Sequence, residues 1–366
     1  MTDIDVAVNI LGGDTNKVIY DDIGMPSIVV EVAEQALTFD GMEYGGDVAH
    51  PAFIVNGVRK SKFYVSKYQN VVMHDRAYSL PMQVPEFKMN FDASIAACAK
   101  KGLGWHLMTN AEWAYLALLG YLPKGNNNSG SDYRGEERGG TRAELADRSL
   151  SDRILTGSGP YAFSHNGRAS GIWDMNGNIN EWVGGLRLAH GEIQIISNND
   201  AADFTNSQKA DSELWKAILE SGELAAPGTA GALKFDYTSS SYTSPILKNS
   251  ITYQQSDAAI RGEIAFNALA ASGITVPHIL RLLAISPWDK TADGYLSMKN
   301  IGERPALRGG GAVDAEKAGI RALSFGELRD YSAFGFRSVY IDILDSAILT
   351  DEDGTALATE NGIITN

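Results

Sequence analysis

The chain has 366 residues, 44% of them hydrophobic and 21% charged, which is the composition of a folded globular protein and excludes a disordered one. Its 31 basic and 45 acidic residues leave a net charge of −14, which argues against a nucleic-acid backbone or an anionic membrane surface as partner. Cys98 is the only cysteine, so an intrachain disulfide and a cysteine zinc cluster are both excluded.

The opening MTDIDVAVNILGGD lacks a basic start and has only a short apolar run, so no secretory signal is expected. No window approaches the length of apolar sequence needed to span a membrane. Residues 1–48 read as a small β-rich N-terminal region, with Val18-Ile19-Tyr20 and Ser27 to Val32 as strands and Gly12-Gly13, Gly24 and Gly45-Gly46 as punctuation. This piece is too short to bury a core alone and is expected to pack on the next domain or on another copy.

Phe53-Ile54-Val55 and Lys62 to Tyr68 are further strand candidates. Phe91, Ile95 and Cys98 share one face of a helix over about 92–101, closed by Gly102, which makes Cys98 a buried small hydrophobe. Thr109 and Glu112 form a capping box for a second helix, Asn110 to about Gly120, with Trp113, Leu116 and Ala117 facing the core. Gly125 to Gly140 is a polar loop.

In Gly171 to Leu188, Trp173 and Trp182 bracket a turn of Asp174, Asn176, Gly177 and Asn178. Asp174, Asn178 and Glu181 carry oxygens of the kind that bind Ca²⁺, but without EF-hand spacing the structural turn is the expectation, and no metal is assigned. Residues 197–300 read as a partly helical insertion, with helices over Ser212 to Leu224, Ala258 to Ala271 and Val276 to Ile285.

The stretch Leu307 to Tyr340 is unlike the rest. Arg308 precedes Gly309-Gly310-Gly311, and Phe334-Gly335-Phe336-Arg337 leads into the alternating Val339-Ile341-Ile343, so both ends read as strands. Between them Asp314, Ala315, Arg321, Ser324, Phe325, Arg329, Asp330, Tyr331 and Ser332 follow neither a strand nor a helix period, as in a loop or a binding surface held on a scaffold.

Four blocks in order resemble one family. They are Phe63 to Tyr68, Gly104 to Trp113, Gly171 to Trp182, and Arg308-Gly309-Gly310 with Gly335-Phe336-Arg337. They resemble the opening strand, the RLPTEAEW helix start, the GLYDMxGNVWEW block and the RGG…GFR ending of the formylglycine-generating-enzyme, or sulfatase-modifying-factor, branch of the C-type lectin fold. The resemblance covers about 50–345, apart from the insertion, and implies an α+β fold of the C-type lectin type. It divides the chain into the N-terminal region 1–48, a lectin-like domain 49–345 and a tail 346–366.

Two departures bear on activity. No cysteine lies between Arg308 and Arg337, where the enzymes of the family carry their copper-binding pair. His50, His74, His106, His165, His190 and His278 do not form the His-x-x-x-His-x-Glu motif of the iron-dependent members. A third departure, Asn180 in place of a tryptophan, removes a packing contact.

The sequence is more similar to the variable proteins of diversity-generating retroelements, a group that includes the phage major tropism determinant. That similarity lies in His106 to Trp113, Pro123 to Asn128, Val183 to Leu188 and Ala318-Gly319. It implies a non-enzymatic receptor-binding protein, without cofactor, that meets a protein ligand on a host or prey cell. Such a protein acts at a virion surface or cell exterior after cytoplasmic synthesis, and a homo-oligomer would add avidity. The segment 307–340 would be diversified at template adenines, with Gly311, Ala312, Asp314, Arg321, Ser324, Phe325, Arg329, Asp330, Tyr331 and Ser332 as ligand-contacting positions. Adenine mutagenesis of Asn-type codons does not yield Lys or Glu, so Glu316, Lys317 and Glu327 are expected to be constant. The rival expectations are an oxidase with chemistry relocated to Cys98 and a structural virion protein with no variable site.

Overall fold

The computed structural model describes residues 2–122, 145–147, 150–328 and 334–343. The loop expected over Gly125 to Gly140, the tail 346–366 and the positions Arg329 to Ser332 lie outside the described residues. The fold is mixed α and β, dominated by strand, with a curled half-barrel sheet.

The N-terminal region opens with a helix, α1 (Asp3–Gly12), where strands and turns were expected. Its capping box uses Thr2 and Asp5, and the shorter aspartate in place of Glu or Gln hid the signal. The strands Asn16–Tyr20 and Pro26–Ala33 then pair antiparallel. Pro26–Ala33 also pairs with Lys62–Ser66, so the sheet runs without a break across the boundary placed near residue 48.

That five-stranded sheet is closed by the far end of the chain. Ser338–Tyr340 lies between Lys62–Ser66 and Trp105–Leu107, with Val339 opposite both Val65 and His106. Val65 and Val339 are fully buried, so alternation in two segments far apart in sequence builds one shared core layer.

Helix α2 (Phe91–Ala99) is capped by Asn90 and buries Phe91 and Cys98. Helix α3 (Asn110–Leu118) starts with the expected Thr109–Glu112 capping box. All nine of its residues are buried, with the strand Asn180–Ala189, the 3-10 turn Pro51–Phe53 and the short helix His278–Leu282 packed against it. Two tryptophans tie the layers together. Trp113 donates from Nε1 to the Ile320 carbonyl at 2.7 Å, and Trp182 donates to the Met89 carbonyl at 2.8 Å.

The second sheet has eleven strands around Asn180–Ala189, Glu303–Gly309 and Gly319–Phe325. The 197–300 region corrects the helical expectation. Ser212 to Leu224 contains the strand Trp215–Ile218, and Ala258 to Ala271 contains the strand Gly262–Ala265 followed by a 3-10 turn at Phe266–Ala268. Only α4 (His278–Leu282), within the expected Val276 to Ile285, is helical. Helix-favouring composition loses here to pairing. Trp215 to Ala217 add to Gln194–Ile196, and Gly262–Ala265 adds to Tyr295–Met298, which itself pairs parallel to Gly319–Phe325. The insertion thus extends both flanks of the sheet that carries the 307–340 segment.

Candidate functional site

The two ends of the 307–340 segment are held by buried arginines. Arg308 has no exposed surface. It donates from Nε and Nη2 to Asn110 Oδ1 at 3.0 and 2.6 Å, and from Nη2 to the Ala284 carbonyl at 3.0 Å. It therefore joins the start of α3 to the carbonyls that follow α4. Burial without a carboxylate partner pushes its pKa down to about 9.

Arg337 meets Glu181 in a bidentate pair, with both hydrogen bonds 2.6 Å long. Its remaining donors reach the Ser66 and Trp173 carbonyls at 3.1 and 3.0 Å. Gln69 Nε2 donates to the same glutamate at 2.9 Å. The expected tryptophan-flanked turn surrounds this pair, with Asp174 at φ 62° and Asn178 at φ 65°. Asn178 bonds Gln69 and the Ile154 backbone, so the oxygens considered for Ca²⁺ have internal partners. Burial pushes the Asp174 carboxyl up to about 7, against the lowering effects of the Gly157 N–H and Arg337.

Glycine is required on both sides. Gly310 has φ 72°, and an added Cβ would stand 2.6 Å from Ala318 Cα. At Gly335 a Cβ would overlap the Glu86 carbonyl and Ile179 Cδ1.

Between the anchors, the chain forms two 3-10 turns over Ala312–Lys317, divided at Ala315 (φ 49°, ψ −122°). Asp314 Oδ2 accepts from the Gly311 N–H at 2.7 Å and from Asn180 Nδ2 at 3.0 Å. Asn180, where a packing tryptophan was missed, thus holds the turn by a hydrogen bond. Val313 stands 67% exposed, and Glu316 is exposed.

The candidate positions separate into groups. Gly311 is buried at the turn, while Asp314 and Ser324 are half-exposed and border one small polar pocket of about 50 Å³. Ala312 is buried, and its N–H bonds the Asn178 carbonyl. Phe325 is 0% exposed and packs near Phe235 with ring centroids 6.1 Å apart, so it serves the core rather than the surface. The cause is the strand period, which turns residue 325 inward beside half-exposed Ser324.

Arg321 is 4% exposed. It stacks over Trp288 at 4.2 Å and pairs with both oxygens of Asp289 at 2.5 and 3.0 Å. Its backbone N–H bonds Asp293 Oδ2 at 3.1 Å. Arg321 holds the Asp289 carboxyl down to about 2, while burial pushes Asp293 up to about 6. It belongs to a cradle supplied by the insertion and offers little surface to a ligand. Arg329, Asp330, Tyr331 and Ser332 lie outside the described residues.

Sequence reasoning missed the insertion's part in this face. Arg261, Glu263, Tyr295 and Ser297 line the pocket with Lys317 and Ser324. Glu263 stands opposite Ser297 across a strand pair that a helical reading of 258–271 conceals.

Cys98 is fully buried, and burial raises its thiol pKa far above the ordinary range, so the reactive thiolate is strongly disfavoured. Among the described residues no group of three or more His, Cys, Asp or Glu is arranged to hold a metal ion. No helix among them is long and apolar enough to cross a membrane. Comparison with protein-family models finds no match, and comparison with curated proteins likewise finds none.

Proposed function

We propose that this chain is a ligand-binding protein that displays a diversified surface on a C-type-lectin-like scaffold, in the manner of the variable proteins of diversity-generating retroelements. Its ligand is a protein on a cell surface, and it acts on a virion or at a cell exterior. The observation that carries this reading is the contrast within the 307–340 segment. Arg308 and Arg337 are wholly buried at its ends, while the candidate positions Asp314 and Ser324 meet solvent between them. Fixed ends lower the ordering cost of binding, so exchange of the outward side chains alters affinity without unfolding the frame. The order of the four sequence blocks supports the same reading, and the burial of Cys98 weighs against the oxidase alternative.

The test is to read the DNA flanking the gene. The expected result is a near-copy of the segment encoding residues 307–340 beside a reverse transcriptase, differing almost only at adenines. Absence of such a copy would remove the diversified-surface reading and favour a structural virion protein.

A further inference from the structure

We propose that the insertion supplies a constant subsite for a carboxylate of the partner, built by Arg261 and Tyr295 beside Ser324 and Lys317. This rests on the reading above, in which the 307–340 segment faces a protein ligand.

The argument is an inventory of donors and acceptors around one pocket. Of its two carboxylates, Glu263 uses both oxygens and Asp314 one. Glu263 pairs with Lys317 and accepts from the Ser297 hydroxyl at 3.2 Å. Asp314 Oδ2 accepts from the Gly311 N–H and the Asn180 amide. Apart from Asp314 Oδ1, the unengaged groups are able to donate. Among the described residues, the exposed Arg261 guanidinium has no ion-pair or hydrogen-bond partner, and neither the Tyr295 nor the Ser324 hydroxyl has a hydrogen-bond partner. Lys317 Nζ lies 5.7 Å from the Tyr295 ring centroid, and the side chains of its ion pair with Glu263 are 43% and 35% exposed. An ion pair that open to water contributes little, so the ammonium can be shared with an incoming anion.

A guanidinium, an ammonium and two hydroxyls around a pocket of about 50 Å³ match one carboxylate in size and in hydrogen-bonding sense. Most of this subsite lies apart from the diversified positions, with Ser324 the one member that is itself among them. Arg261 and Tyr295 lie outside 307–340, and Lys317 is a residue that adenine mutagenesis of Asn-type codons does not produce. Different versions of the segment would therefore share an acidic side chain of the partner as a common point of attachment.

The experiment titrates the full ¹⁵N-labelled chain with N-acetylglutamate N-methylamide. The glutamine analogue serves as the neutral control at constant ionic strength. Saturable shifts are expected at the backbone amides of Arg261, Gly262, Glu263, Tyr295 and Ser324, and only with the glutamate analogue. Arg261→Gln should weaken the interaction by about tenfold or more, and Tyr295→Phe by roughly 2- to 10-fold. The amide spectrum of each variant reports at the same time that the fold is kept. Equal shifts with both analogues, no saturable shift, or unchanged affinity in Arg261→Gln would each overturn the subsite. None of these outcomes touches the diversified-surface reading, which stands or falls with the flanking template copy.

Discussion

Replacing Arg337 by Met tests the claim that the end of the segment is an electrostatic anchor and not only a packed strand. In the native chain Arg337 and Glu181 are 0% and 1% exposed, and each of the three guanidinium nitrogens has at least one acceptor. Methionine keeps much of the side-chain length and apolar contact but removes the charge. Glu181 then retains only the Gln69 amide, and the Ser66 and Trp173 carbonyls each lose a donor. Breaking a buried pair by deleting one partner costs about 3–5 kcal/mol, a large share of the roughly 5–15 kcal/mol that holds a folded protein together. Glu181→Gln should cost less, since the amide keeps one acceptor for the guanidinium. The double variant should lose less than the sum of the singles, by about 1–3 kcal/mol of coupling. An exposed pair gives the contrast, and Lys317→Met should shift stability by only about 0–1 kcal/mol. Urea unfolding followed by tryptophan fluorescence and far-UV circular dichroism measures all four variants, with coincident transitions licensing the free energies. A loss below about 1 kcal/mol in Arg337→Met, or strict additivity in the double variant, would refute the anchoring argument.

Two further outcomes follow from the same region. The Asp174 carboxyl titrates near 7 when folded and near 3.9 when unfolded, so its contribution to stability is present below the lower value and is lost as pH rises toward 7. Asp174→Asn retains an acceptor for Gly157 and suits the left-handed backbone, so it should be more stable than wild type at pH 8 by a few kcal/mol, with the gap closing near pH 4; equal unfolding midpoints at both pH values would rule this out. Gly310→Ala should destabilise by roughly 1–3 kcal/mol from its positive φ, and by more from the clash with Ala318, so a wild-type melting temperature would contradict the close approach drawn there.

Local signals were legible where the physics is local. The Thr109–Glu112 capping box, the buried stripe of Phe91 and Cys98, and the Asx-rich turn between Trp173 and Trp182 each depend on residues a few positions apart, and each was read directly. In 307–340 the glycines were legible, but the expected lack of period was not borne out across Arg321, Ser324 and Phe325, which lie on the strand Gly319–Phe325. The helix at Asp3–Gly12 was lost to a weaker form of a known cap, and the strands at Trp215–Ile218 and Gly262–Ala265 were lost to composition. Helix propensity differs among ordinary residues by only ~0.7 kcal/mol or less, and sheet pairing decides such segments through partners far away in sequence.

The division between sequence and structure follows from that range. Composition, charge, the single cysteine, the caps and the RGG and GFR blocks were set by the chain alone, since each is a matter of residue type or near-neighbour spacing. Which side of the segment faces out was decided only by tertiary structure. Phe325 turned into the core, Arg321 was enclosed by Trp288 and Asp289, and Arg261 and Tyr295 were brought to Ser324 from a region that showed no motif. Strand pairing carries no local signature of its partner, and burial belongs to the assembled sheet rather than to any residue within it.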